Sequence, residues 1–472
     1  MLNSKKMIKM KKLLYISMFT ILMVSCSEDF LELSPSGALP AEEAIQSISD
    51  MNTLLLGAYS QLQNSDYYGR YFILVPDVMS DDVKQNSSAN RAKEWAEFSG
   101  TDLDFISEEI WTEVYEAINR VNIIINAEVD LPPEVQDEAN QIIGEAQALR
   151  GLAHFDLVRI YAQHYGFTSG GSHPGIPIVT TFDETALPTR STVGEVYAAA
   201  IADLEAGISK MTINDDAPGR MSKLAAQAIL ARIYFYQENY SQAESMANTV
   251  ISEAGSLLPT ESFLDAWSNP GTKPDALFEV VMTDVDNNGS DALGRMYINE
   301  GYGDYLPSDD LRLLIDPEDL RSTLFKPDST LGGGIFGWDR MNKFPAVIGD
   351  DNTPVIRLTE VMLIRAESRA RAGNEDGAIE DMMAVRRRAW PSAPEVSLSG
   401  DALLEEIIKE RRIELAFEGH RLWDLMRLNR DVVRTDCTAP ICTINYPNDR
   451  FILPIPAQEL DANENIEQNP GY

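Results

Sequence analysis

Ser222–Glu238 and Ser241–Glu253 carry apolar residues at helical spacing, separated by a link too short for anything but a tight turn. They predict an antiparallel helical hairpin. Leu230, Ala231, Tyr234, Tyr240 and Ala243 mark where its helices touch. The alanines let the backbones approach, and the tyrosines fill the groove beside them. Thr359–Ala372 and Glu375–Arg388 predict a second hairpin, with Ala366, Gly373 and Ala378 at the offsets of Ala231, the inter-helix turn and Ala243. A chain that repeats this contact must stack helix pairs. Met51–Gln63, Ile110–Ala127 and Val135–Ala162 are further helices. Ser191-Thr192-Val193-Gly194-Glu195 signals a helix start leading to Ile208. Helices around residues 141–208 predict a third pair, interrupted by the Gly/Ser/Pro-rich break from Gly166 to Pro177.

The hairpin spacing is similar to the tetratricopeptide consensus, with Gln227 where a tryptophan is usual. Its units lie too far apart for a plain solenoid, so the intervening chain must pack on the helical scaffold. Residues 255–350 are that chain: rich in Gly, Pro, Asp and aromatics, with short β-like runs such as Leu277–Met282. Irregular loops on a rigid frame are where binding residues usually sit. The hydrophobic share of 44% over 472 residues excludes a disordered chain. The net charge of −35 argues against nucleic acid, which needs clustered Lys and Arg.

Five lysines (Lys5, Lys6, Lys9, Lys11, Lys12) precede the mostly apolar Leu13–Ser25. This stretch is too short to span ~30 Å of hydrocarbon, so residues 1–25 are expected to be a secretion signal. Leu22-Met23-Val24-Ser25 before Cys26 resembles the bacterial lipoprotein box, which implies that the Cys26 thiol is acylated. More than one acyl chain gives stable anchoring. Removing residues 1–25 takes the net charge to −40, since only the five lysines are lost. The acidic Glu28-Asp29 resembles a surface-export signal of Bacteroidetes lipoproteins.

Glu410-Arg411-Arg412-Ile413-Glu414-Leu415-Ala416-Phe417-Glu418-Gly419-His420-Arg421-Leu422-Trp423-Asp424-Leu425 closely resembles the most specific motif of the SusD/RagB family. Leu54–Tyr59, Asp77–Asp82, residues 355–369 and the C-terminal Leu453-Pro454-Ile455-Pro456 match its other motifs in order. The resemblance implies a mainly α, SusD-like fold in which tetratricopeptide-like hairpins are the scaffold and a loop-rich region carries little β. It divides the chain into the signal at 1–25, an N-terminal region at 26–250 and a C-terminal region at 251–472. It implies a non-catalytic lipoprotein of the outer membrane, facing the cell exterior. Such a protein captures an oligo- or polysaccharide for a SusC-like TonB-dependent transporter and uses no cofactor. The alternatives are a peptide-binding RagB-like member and a secreted hydrolase on a helical scaffold.

The charged residues of the long motif have apolar neighbours, so burial would force them to pair. The motif is therefore expected to be an ion-pair lattice that fixes the C-terminal helices, with Gly419 breaking the helix before His420. His154, His164, His173 and His420 offer no zinc spacing. Asp284-Val285-Asp286-Asn287-Asn288-Gly289 begins like a calcium loop, but Arg295 stands at its twelfth position where Glu is needed. Cys437 and Cys442 either pair across a short loop or remain thiols. Sugars require exposed aromatics for stacking and polar groups for hydroxyls. In the family these come from loops matching 64–105 and 285–345 here. Trp95 and Trp338 lead the candidates, with Tyr302, Tyr305, Tyr67, Tyr68 and Asp81; Phe336 is a further loop aromatic.

Overall fold

Helices that read as pairs in the sequence pack as pairs in space. The computed structural model describes residues 45–472 other than 184, 213–217, 329–338 and 438. The helices that matter here are α1 (Ile48–Gln63), α2 (Tyr71–Val78), α3 (Phe105–Ile125), α4 (Gln136–Tyr161), α5 (Val193–Lys210), α6 (Lys223–Tyr236) and α7 (Tyr240–Ala254). After the loop-rich segment come α8 (Leu358–Arg371), α9 (Glu375–Ala389), α10 (Gly400–Glu414) and α11 (Arg421–Arg427). Successive neighbours touch from α3 through α7, and α7 then packs on α8 as if no residues intervened. The expected third pair is α4 with α5. Its helices cross closely because a Cβ on Gly207 would lie 2.6 Å from the Gly144 carbonyl oxygen, and one on Gly151 would lie 2.8 Å from that of Ala200.

The two tetratricopeptide-like hairpins turn alike. Gly373 takes φ +81° before α9, and Glu238, at the equivalent offset before α7, takes φ +61°. Asn239 and Asn374 then cap the second helices, accepting from the backbone N–H of Gln242 and Gly377. Thr192 and Glu195 form a capping box at the start of α5. Ala231, Ala243, Ala366 and Ala378 are fully buried at the helix contacts.

Among the described residues the strands pair only in twos. β1 (Val83–Gln85) runs antiparallel to β3 (Tyr305–Pro307), with Lys84 opposite Leu306 and Gln85 opposite Tyr305. β2 (Ala276–Val280), overlapping the expected β-like run, pairs with β6 (Thr353–Arg357) beside α6, and β4 (Phe325–Pro327) pairs with β5 (Asp339–Met341). The β1–β3 ladder matters most for the site. It fastens the segment after the first helices to the central loop region. Residues Ile45–Tyr472 form a single compact unit, and no helix among the described residues is long and apolar enough to cross a membrane.

Candidate functional site

Two concentrations of arginine stand out, and the larger is buried. Glu414 accepts from Arg357 at 3.0 Å, Arg388 at 2.7 Å and Arg321 at 3.1 Å. Glu410 holds Arg321 at 2.7 Å and Arg386 at 2.6 Å. Glu418 lies between Lys343 and Arg357, each at 2.7 Å. Asp424 joins Arg411 to Arg427, and Arg427 reaches on to Glu367 at 2.7 and 2.8 Å. Burial alone would raise the Glu414 pKa, but Arg388, Arg357 and Arg321 overcome it and hold the carboxyl well below the usual range. Burial pushes His420 down to about 3, against the pull of Glu360, whose carboxylate is 3.8 Å away. The imidazole is therefore neutral at pH 7. The long motif is the expected lattice, and its carboxylates are occupied by arginines. The helix break comes earlier than the sequence suggested. α10 ends at Glu414, and Phe417, at φ +65°, turns the chain before Gly419 does at φ +78°. The Phe417 ring is held edge-on against Tyr297 at 4.9 Å.

Burial also removes most of the expected ligand residues from the surface. Trp95 is 1% exposed; the short turn Lys93–Ala96 faces its polar side outward and its tryptophan inward. The indole N–H donates to Asp104 at 3.1 Å, and a Cβ on Gly100 would lie 2.6 Å from the ring. Tyr67 and Tyr68 are interior because both hydroxyls donate to the buried Asp156, each at 2.7 Å. Tyr305 is buried with its hydroxyl donating to the Arg91 carbonyl. Asp81 accepts from Arg421 at 2.7 and 2.9 Å and so belongs to the lattice's edge. Arg412 grips the neighbouring Asp82 at 2.6 Å. These five expectations are corrected: all five side chains are structural. Cys437 and Cys442 form a disulfide across the β7–β8 hairpin (Val432–Val433 with Thr443–Ile444). Trp338, Phe336 and Cys26 lie outside the described residues.

Tyr302 alone among the described candidates is exposed, at 36%. The Arg91 guanidinium lies over its ring, 3.0 Å from the centroid. The loops that hold the pair are continuations of β1 and β3. The Asn86 N–H donates to the Asp304 carbonyl at 2.7 Å, and its side-chain amide donates to the Gly303 carbonyl at 3.1 Å. Gly303 is required: φ is +56°, and a Cβ there would come within 2.6 Å of the Arg340 guanidinium. Asp304, buried beneath, accepts from the Arg91 guanidinium at 3.3 Å and its backbone N–H at 3.2 Å. Tyr71 lies in the electric field of both Arg91 and Arg70, and the Arg70 guanidinium is 3.9 Å from its ring centroid. Phe105, 56% exposed, meets the same Tyr71 ring edge-on at 6.0 Å. Burial raises the Asp66 pKa against the pull of Arg70. Here an exposed aromatic, a planar cation and acidic acceptors share one rigid face: the parts needed to stack a sugar ring and bond its hydroxyls.

Sequence reasoning placed the loops of this face but missed Arg91 and Phe105. Arg91 stands in the same polar stretch as Trp95. The exposed Phe105 begins a helix after Leu103, itself 80% exposed, and that pair of unburied apolar residues was the available signal. A separate cavity of about 410 Å³ lies between α1 and α4. Its wall carboxylate Glu145 is already bonded to Tyr59 at 2.7 Å and Arg220 at 3.1 Å. Among the described residues no group of three or more His, Cys, Asp or Glu is arranged to hold a metal ion.

Known proteins resemble this chain in sequence and fold. Residues 29–235 match a family described as SusD-like, "Starch-binding associating with outer membrane", and residues 347–472 match the SusD family. SusD-like protein P25 of Formosa agariphila is 26% identical, with 98% of this chain and all of the relative aligned. A Bacteroides vulgatus structure described as that of a candidate sugar binding protein superposes with a TM-score of 0.83 at 29% identity, over 91% of this chain and 100% of that one. A SusD superfamily structure from Bacteroides thetaiotaomicron gives 0.82 at 27% identity, over 90% and 100%.

Proposed function

The chain belongs to the SusD/RagB family, and from that premise we propose that it is a non-catalytic binding protein that captures an oligo- or polysaccharide at the Arg91–Tyr302 face. It is tethered to the outer membrane through acylated Cys26, faces the cell exterior, and delivers its ligand to a SusC-like TonB-dependent transporter. The observation that carries the reading is the half-exposed Tyr302 stacked by Arg91 on loops locked by the β1–β3 ladder. A capture surface needs flat apolar area and hydrogen-bonding groups, and it needs no acid–base pair around one bond. The family description of residues 29–235 and the sugar-binding description of a structural neighbour support a glycan as the ligand.

Affinity electrophoresis through gels cast with separate polysaccharides tests this, with a reducing-end assay on the same mixtures. Retardation by at least one polymer without release of reducing ends is the expected result. Release of reducing ends, or free passage through every gel, refutes it. Labelling cells with a palmitate analogue tests the anchor: the wild-type protein takes up label and Cys26→Ser does not.

A further inference from the structure

Arg91 and Arg70, the two arginines that lie over tyrosine rings at the candidate face, each have a carboxylate partner. Arg91 is anchored on Asp304, whose Oδ2 also accepts the N–H of Arg91 at 3.2 Å. Arg70 donates to Asp291 at 2.7 Å and has Asp66 3.8 Å away. Glu94 is exposed three residues after Arg91, and Glu109, on α3, lies in the field of Asp66 and Glu108. Nearby, Lys93 is paired with Glu97, Arg340 with Asp328, and Arg295 donates to the Val347 carbonyl; with these included, carboxylates still outnumber cations among the named groups, in keeping with the whole chain at −35. What it offers outward from Arg91 is the plane of the guanidinium and the tyrosine beneath it.

We propose that Arg91 serves this face as a stacking plane and not as an anion ligand, and that the site takes uncharged pyranosides and rejects uronic and sulfated glycans. The inference rests on the reading of this face as a glycan site. A carboxylate or sulfate arriving here meets the Asp304 carboxylate behind Arg91, the exposed Glu94, and the Asp66 and Asp291 carboxylates around Arg70, and like charges brought together at an interface are strongly disfavoured. The Asp304 carboxylate already offsets the Arg91 charge at 3.3 Å, which weakens the pull that Arg91 exerts on an anion. A neutral pyranose has no such conflict. Its C–H face lies flat on the ring or the guanidinium, and its hydroxyls can donate to the surrounding carboxylates. Stacking also explains why arginine stands here. A lysine ammonium is a point charge with no plane to lay against tyrosine.

The test is affinity electrophoresis at low and high salt, with starch, xyloglucan and galactomannan as neutral probes and polygalacturonate, alginate and carrageenan as anionic ones. Wild type should be retarded by at least one neutral polymer, equally at both salt concentrations, and by no anionic one. Arg91→Ala and Arg91→Lys should each weaken that retardation about tenfold or more, and Tyr302→Ala should do the same. Thermal unfolding of each variant checks that it is folded; if an Arg91 variant is not, Tyr302→Ala and the wild-type salt series still decide. Retardation by an anionic polymer that salt abolishes overturns the proposal and leaves the glycan reading standing. Full retardation of Arg91→Lys overturns the stacking role. Passage of wild type through all six gels refutes the glycan reading itself.

Discussion

Arg357 and Arg91 are the same residue in opposite situations. Arg357 is 1% exposed and divides its donors between Glu414 and Glu418. Arg91 is 29% exposed in its side chain, has one carboxylate partner, and leaves its plane against Tyr302. In the lattice the arginines are buried and paired with carboxylates. Removing one partner there strands the others without water. On the loop face the charge is only neutralised, and the side chain's shape remains available. A family-specific run of charges thus marks what holds this molecule together, while the proposed binding surface consists of a few partly exposed groups outside that run.

The contrast is broken most forcefully at the centre of the lattice. Glu414→Ala leaves Arg321, Arg357 and Arg388 short of a partner and should cost about 3–5 kcal/mol in denaturant unfolding, or prevent folding. If that variant unfolds like wild type, the lattice is not the support described here. Trp95→Ala removes a buried ring and should cost about 3–5 kcal/mol while leaving glycan retardation of the folded fraction intact. Lost retardation in a folded Trp95→Ala protein would return that residue to the binding site.

Acid should act through the interior as well. Burial lowers His154 and His420 to about 3 and His164 to about 4, from an ordinary value near ~6.5. Folded values below the unfolded one mean that this stability is complete above pH ~6.5 and is lost as pH falls toward those values. The lattice carboxylates add to the loss. Arg411 and Arg427, working against burial, hold Asp424 at about 2, so its contribution disappears as pH falls below ~4. Asp77, Asp82, Glu279 and Asp351 oppose this: burial raises their pKa values, so their contributions are present in acid and lost as pH rises. The net expectation is a melting temperature several degrees lower at pH 4.5 than at pH 7.5. A flat profile would contradict it.

Smaller effects sharpen the other side. Cys437→Ser with Cys442→Ser opens a loop whose cysteines are five positions apart and should cost about 2 kcal/mol by loop entropy, with no change in glycan retardation. Tyr302→Ala should change stability by no more than about 0.5 kcal/mol, as surface substitutions do, while weakening retardation about tenfold. If it destabilises as much as Trp95→Ala, the ring is packing and not a binding surface.

The helical frame was readable because close packing writes itself into spacing. Ala231 and Ala243 recur as Ala366 and Ala378, and the left-handed turn recurs even where Glu238 replaces the glycine. The lattice was readable because charges among apolar residues must pair. Which aromatics stay exposed was not. Local polarity around Trp95 described the outer side of one helical turn, while the ring points inward against Gly100. Tyr67 and Tyr68 share Asp156, which lies far along the chain in α4. Which tyrosine stays outside depends on such distant partners, and single-sequence patterns carry no record of them.

A crystal structure of the protein with an oligosaccharide cut from a retarding polymer would test the account most directly. It should place a sugar ring against the Arg91–Tyr302 pair with the Asp304 bond intact. A sugar seated away from that pair, or Arg91 swung off Asp304 to reach it, would contradict the account.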